Sequence, residues 1–125
     1  MTKKKILIVD DDPEIFLTLR KRLEFHGFSC SSANSVENAF EKIRGERPDV
    51  VLLDLGFPGV DRTAFLRNAS QHLPPEESVP PILVLSCFDD QEIVDHVMES
   101  GAAGYFSKPY DFRSLVSAIQ QCANG

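Results

Sequence analysis

Short aliphatic runs alternate along the chain with longer stretches in which apolar positions recur every three or four residues. The runs fall at 5–9, 28–33, 50–53, 82–85 and 104–107. The first, third and fourth are unbroken, as strands covered on both faces require; the second and fifth are weaker and suit sheet edges. Between them lie five helical stretches. Asp12 can cap the first, with Pro13 at its first position, an Ile15, Leu19, Leu23 stripe and Gly27 at its end. Ser35 can cap the second, which carries Val36, Ala39, Phe40 and Ile43, and Asp61 can open a third with Ala64, Phe65 and Leu66. Asp89 or Asp90 can cap the fourth, with Ile93, Val94, Val97 and Met98 inward and Gly101 closing it. Asp111 can cap the last, with Leu115, Ala118, Ile119 and Cys122 inward. Residues 73–81 hold four of the eight prolines and are expected to form an exposed connection. Strand and helix alternating five times predicts an α/β fold with a parallel sheet.

A chain of 125 residues, 42% hydrophobic and 26% charged, has room for one domain whose core needs no disulfide or structural metal. Its net charge of -6, with Lys3, Lys4 and Lys5 as the one basic block, argues against direct contact with nucleic acid. Cys30, Cys87 and Cys122 are far apart and lack the spacing of a zinc site or a disulfide framework, which points to a reducing cytoplasm. No aliphatic run approaches the roughly 20 residues of a bilayer span, so no membrane association is expected. The N-terminus does not read as a signal peptide, because acidic residues soon follow Ile6 to Val9.

In doubly wound folds, ligands bind beyond the carboxyl ends of the strands, and here those ends are acidic. The first strand runs into Asp10, Asp11 and Asp12, and the third ends in Asp54. If these strands are neighbours, Asp10, Asp11 and Asp54 converge and repel one another unless a cation sits among them. A pocket of oxygen ligands suits Mg²⁺, which brings phosphate oxygens with it. The fourth strand finishes at Ser86 and the fifth at Ser107 and Lys108, adding a hydroxyl and an ammonium. With Mg²⁺ and Lys108 neutralising a phosphoryl group and Ser86 donating a hydrogen bond, Asp54 could act as nucleophile.

The chain resembles the receiver domain of two-component response regulators over essentially its whole length. The resemblance is carried by Ile6 to Asp11 with Pro13, Val51 to Asp54 with Pro58 and Asp61, Leu85 with Ser86, Gly101 with Ala102, and Tyr105 with Lys108 and Pro109. It implies a five-stranded sheet of order 2-1-3-4-5, the flavodoxin-like arrangement for which a chemotaxis receiver serves as a standard example. It also implies phosphoryl transfer to Asp54 from a partner's phosphohistidine, with Mg²⁺ held by Asp10, Asp11, Asp54 and the main-chain carbonyl of Gly56. Ser86, Lys108 and Tyr105 would carry the switch, relayed to the surface of the fourth helix, fifth strand and fifth helix. The domain would be a signalling switch more than an enzyme, either whole or the N-terminal part of a longer protein. Its partners would be a sensor histidine kinase or phosphotransfer protein, with that same surface open to a homodimer.

The sequence departs from the family pattern at Gly56, Phe57, Arg62 and Cys87. Gly56 would leave an acyl phosphate more open to water, and Arg62 adds a long cation nearby. Two other readings stand beside the resemblance: an interaction module that keeps the fold without being phosphorylated, and a Mg²⁺-dependent phosphohydrolase. The second lacks an acid two residues after Asp54, where Gly56 stands.

Overall fold

A computed structural model describes residues 3–10, 12–55, 63–68 and 79–124. In chain order the elements are β1 (Lys5–Val9), α1 (Pro13–Phe25), β2 (Ser29–Ala33), α2 (Val36–Glu46), β3 (Val50–Asp54), α3 (Thr63–Asn68), β4 (Ile82–Ser86), α4 (Gln91–Glu99), β5 (Gly104–Ser107) and α5 (Phe112–Asn124). The strands form one sheet of order β2-β1-β3-β4-β5, with every neighbouring pair parallel. The unbroken aliphatic strands are the three central ones, and the weaker two are the edges.

Alternation along each strand sends successive side chains to opposite layers. Ile6, Ile8, Leu52, Leu83 and Leu85 pack with Leu19 and Leu23 of α1 and Leu115 and Ile119 of α5. Leu7, Val9, Val51, Leu53 and Val84 pack on the other face with Ala39, Phe40 and Ile43 of α2, Phe65 and Leu66 of α3 and Val97 of α4. Phe40 and Phe65 stack there, with ring centroids 4.8 Å apart.

Helix starts follow side-chain chemistry. Asp12 Oδ1 accepts from the Glu14 amide at 2.9 Å, with Pro13 at the first turn where no donor is lost. Ser35 Oγ accepts from Asn38 N at 3.1 Å, and Asp111 Oδ1 from Arg113 N at 3.1 Å. Gly27 and Gly101 follow α1 and α4 with φ of 90° and 117°, a region that side-chain-bearing residues rarely adopt.

Four expectations need correction. Phe28 is not in β2: its amide bonds the Leu23 carbonyl at 3.2 Å, and its ring caps the end of α1 within the core. Asp90 stands at the N-cap of α4 but makes no capping hydrogen bond. Met98 points out, because Val97 takes the core position and the next residue lies about 100° further round the helix. At 79–81 the connection is half-buried, with the Pro81 carbonyl accepting from Val51 N at 2.9 Å. The rest of that connection and the Asp61 cap lie outside the described residues.

The β2 edge carries its own polar dressing. Ser29 N and Ala33 O face β1, so Cys30 and Ser32 turn their backbone groups outward. The Lys42 ammonium, reaching from α2, donates to the Ser32 carbonyl, and Ser31 Oγ donates to Glu46 at 2.8 Å.

Candidate phosphoryl-acceptor site

The three central strands deliver their next residues to one end of the sheet. Asp10 follows β1, Asp54 ends β3 and Ser86 ends β4, and all are buried, at 4%, 2% and 0% exposure. Backbone bonds anchor this end of the sheet: Asp10 N donates to Ala33 O at 3.0 Å, Leu55 N to Leu85 O at 2.8 Å and Lys108 N to Ser86 O at 2.7 Å. The β1–β3–β4 pairing brings Asp10 and Asp54 side by side, as expected. Asp11, Gly56, Phe57 and Arg62 lie outside the described residues.

The two carboxylates are partnered differently. Lys108, from the end of β5, places its Nζ 2.6 Å from Asp54 Oδ2. Burial works to lower the Lys108 pKa, but the hydrogen bond and charge of Asp54 outweigh it, so the pKa rises and the ammonium persists. Asp10 Oδ1 accepts from the Asp12 amide at 2.9 Å, whereas Oδ2 is buried with no hydrogen-bond partner. Burial, reinforced by the negative charge of Asp54, pushes the Asp10 pKa up to about 6. A buried carboxylate oxygen without a donor, beside a second carboxylate, is a costly arrangement that an oxygen-bound divalent cation relieves. The residues present therefore fit Mg²⁺. Among the described residues no group of three metal-binding side chains assembles; the third carboxylate of the expected set is Asp11.

Ser86 Oγ accepts from the Phe88 amide at 3.0 Å, which leaves the hydroxyl proton free to be donated. Tyr105 packs half-buried against the core, and its hydroxyl donates to the Phe88 carbonyl. Phe88 thus bridges Ser86 and Tyr105 through its two backbone groups. The sequence held no sign of this, since any residue supplies an amide and a carbonyl. Tyr105, expected to carry the switch, thus has its hydroxyl tied to the β4–α4 loop.

The pattern of the response regulator receiver domain matches residues 6–120. The chain belongs to the response-regulator receiver family. This receiver is 30% identical over 118 residues to the transcriptional regulatory protein KdpE of Staphylococcus aureus, covering 94% of the chain and 49% of KdpE. It is 32% identical to the transcriptional regulatory protein DegU of Brevibacillus brevis, covering 95% of the chain and 50% of DegU. It therefore spans about half the length of these relatives. Among solved structures it resembles the BeF3-activated N-terminal receiver domain of Klebsiella pneumoniae RstA, with a TM-score of 0.84 and 27% identity over 98% of the chain and all of that domain. As a receiver of two-component response regulators, the chain is a signalling domain. No described helix is long and apolar enough to cross a membrane.

Proposed function

We propose that this receiver accepts a phosphoryl group on Asp54 from a phosphohistidine of a sensor kinase or phosphotransfer protein, in the cytoplasm and with Mg²⁺. The observation that carries the reading is the buried pair of Asp10, with its unpartnered oxygen, and Asp54, held by Lys108. A carboxylate oxygen of Asp54 attacks phosphorus as the bond to the partner's imidazole nitrogen breaks, and the bonding pair leaves with that nitrogen. Asp10, Asp11, Asp54 and the Gly56 carbonyl would hold Mg²⁺, which when bound supplies positive charge against the phosphoryl oxygens. Lys108 is positioned to neutralise a phosphoryl oxygen, and Ser86 to donate its free proton to another.

Drawing the Ser86 hydroxyl toward phosphate changes the loop that Phe88 shares with Tyr105, which is the route from the site to the surface of α4, β5 and α5. The phosphoryl group shifts that equilibrium only if it bonds Ser86 in one arrangement and not in the other. Incubation with acetyl phosphate and Mg²⁺ is expected to add one phosphoryl group, seen by intact-protein mass spectrometry and removed by hydroxylamine. Asp54→Asn is expected to add none. If the parent chain takes up neither a phosphoryl group nor beryllofluoride, the chain is an interaction module.

A further inference from the structure

The receiver carries two surfaces of opposite character on opposite faces of its sheet. Between the end of α1 and the start of α5 lies an apolar groove of about 320 Å³, lined by Lys21, Arg22, Phe25, His26 and Phe112. Its aromatic wall is continuous: the His26 ring lies 5.7 Å from Phe25 and 5.5 Å from Phe112, and the Arg22 guanidinium sits 3.8 Å over the Phe112 ring. Phe25 is 88% exposed, more than any burial in its own chain would leave it. Lys21 makes no ion pair among the described residues, while Arg20 is neutralised by Glu24 at 2.7 Å. The groove is thus apolar within and cationic at its rim.

The other surface is α4 with the turn before it. Asp89, Asp90, Glu92, Asp95 and Glu99 are all exposed, and no Lys or Arg occurs from residue 87 to residue 107. Met98 stands among them, 41% exposed, with the adaptable unbranched side chain that fills irregular gaps. An acidic face with an apolar knob at its edge matches a cationic rim beside an apolar groove.

We propose that the α1–α5 groove docks the α4 surface of a second copy of this chain, head to tail. Charge complementarity selects this occupant. The symmetric alternative, α4–β5–α5 on itself, sets two acidic helices close together, with Arg113 the one Lys or Arg that α5 offers against them. Although each copy carries a net charge of -6, salt near 0.1 M confines charge effects to about 10 Å, so the facing patches decide. Because groove and helix lie on opposite faces of one molecule, each pair leaves one groove and one helix open, so the contact does not close at two copies. The inference is independent of phosphoryl acceptance, since it uses none of Asp10, Asp54, Ser86 or Lys108.

Sedimentation of the intact chain from about 10 μM to about 1 mM tests it, in the range of weak interfaces. The average mass is expected to rise roughly twofold or more across that range without levelling at two copies. Lys21→Ser with Phe25→Ser, which empties the groove, and Glu92→Gln with Met98→Ser, which blunts the helix, are each expected to stay monomeric. Mixed, they are expected to form pairs and nothing larger, because one supplies the intact helix and the other the intact groove. Phe25→Ser alone carries the groove test if the double variant fails to fold. A parent chain that stays monomeric overturns the proposal, as do a mass that levels at two copies, association that survives in either variant, and a mixture that stays monomeric.

Discussion

Val9, Leu53 and Leu85 are the last apolar residues of the three central strands, and Asp10, Asp54 and Ser86 come next. Both trios are buried, yet they act oppositely on the fold. The apolar trio gains from leaving water and from dense contacts on both faces of the sheet. The polar trio gives up hydration, and only Asp54 recovers a full charge partner, in Lys108. Burial alone therefore says nothing of stabilisation; a single step along a strand separates the residues that hold the sheet from those whose burial costs it.

The sharpest way to break this comparison is a pair of variants at adjacent positions. Leu53→Ala leaves a cavity in a tightly packed layer and is expected to cost about 2–5 kcal/mol in denaturant unfolding. Asp54→Asn, one residue on, is expected to abolish phosphoryl uptake while changing stability by less than Leu53→Ala does, because loss of the Lys108 ion pair is offset by relief of the repulsion with Asp10. Equal destabilisation by the two would show that the rim carries the fold as much as the interior does.

Asp10 gives the next largest effect, with a defined sign. Its folded pKa of about 6 lies above the ordinary aspartate value of about 3.9, so between these pH values the folded state binds more protons than the unfolded one. With divalent metal chelated, stability is expected to fall as pH rises through that window, by on the order of 2–3 kcal/mol from this group. Asp10→Asn is expected to flatten the decline and raise the metal-free melting temperature at pH 7. Millimolar Mg²⁺ is expected to raise the melting temperature of the parent and much less that of Asp10→Asn, by the linkage of binding to folding. A parent melting curve indifferent to both pH and Mg²⁺ would remove the electrostatic tension from the site.

The smallest effect belongs to Tyr105→Phe, which keeps the packed ring and removes its hydrogen bond to Phe88. Unfolding is expected to change by about 0.5–1.5 kcal/mol, with phosphoryl uptake at Asp54 retained. The beryllofluoride-induced chemical-shift changes at Val94 and Met98 are expected to shrink. Shifts as large as those of the parent would separate Tyr105 from any path between site and surface.

Much of this arrangement was legible in the sequence. Unbroken aliphatic runs identify β1, β3 and β4 because strands covered on both faces tolerate little else, and the acids immediately after two of them locate the site. The caps at Asp12 and Ser35 were readable because a short polar side chain before a helical stripe has one local use. Phe28 was not, since an apolar residue looks the same whether it begins a strand or covers the end of a helix. Met98 was misplaced because one helical turn accommodates two adjacent apolar residues and the packing chooses between them. The contrast between Asp10 and Asp54 depends on which carboxylate a single lysine reaches across the sheet, and the Phe88 bridge on the path of a loop. Both are tertiary facts with no local pattern.

The Lys42 ammonium on the Ser32 carbonyl bears on how this protein behaves in crowded solution. A bare outer strand offers alternating donors and acceptors that another extended chain can match, the first step toward fibrous aggregates. By occupying one of the outward acceptors with a flexible cation, α2 interrupts that ladder and sets a charge where an incoming strand would lie. The polar, serine-rich β2 adds little apolar surface to attract one. Lys42 thereby guards colloidal solubility, a property that neither the core nor the candidate site secures.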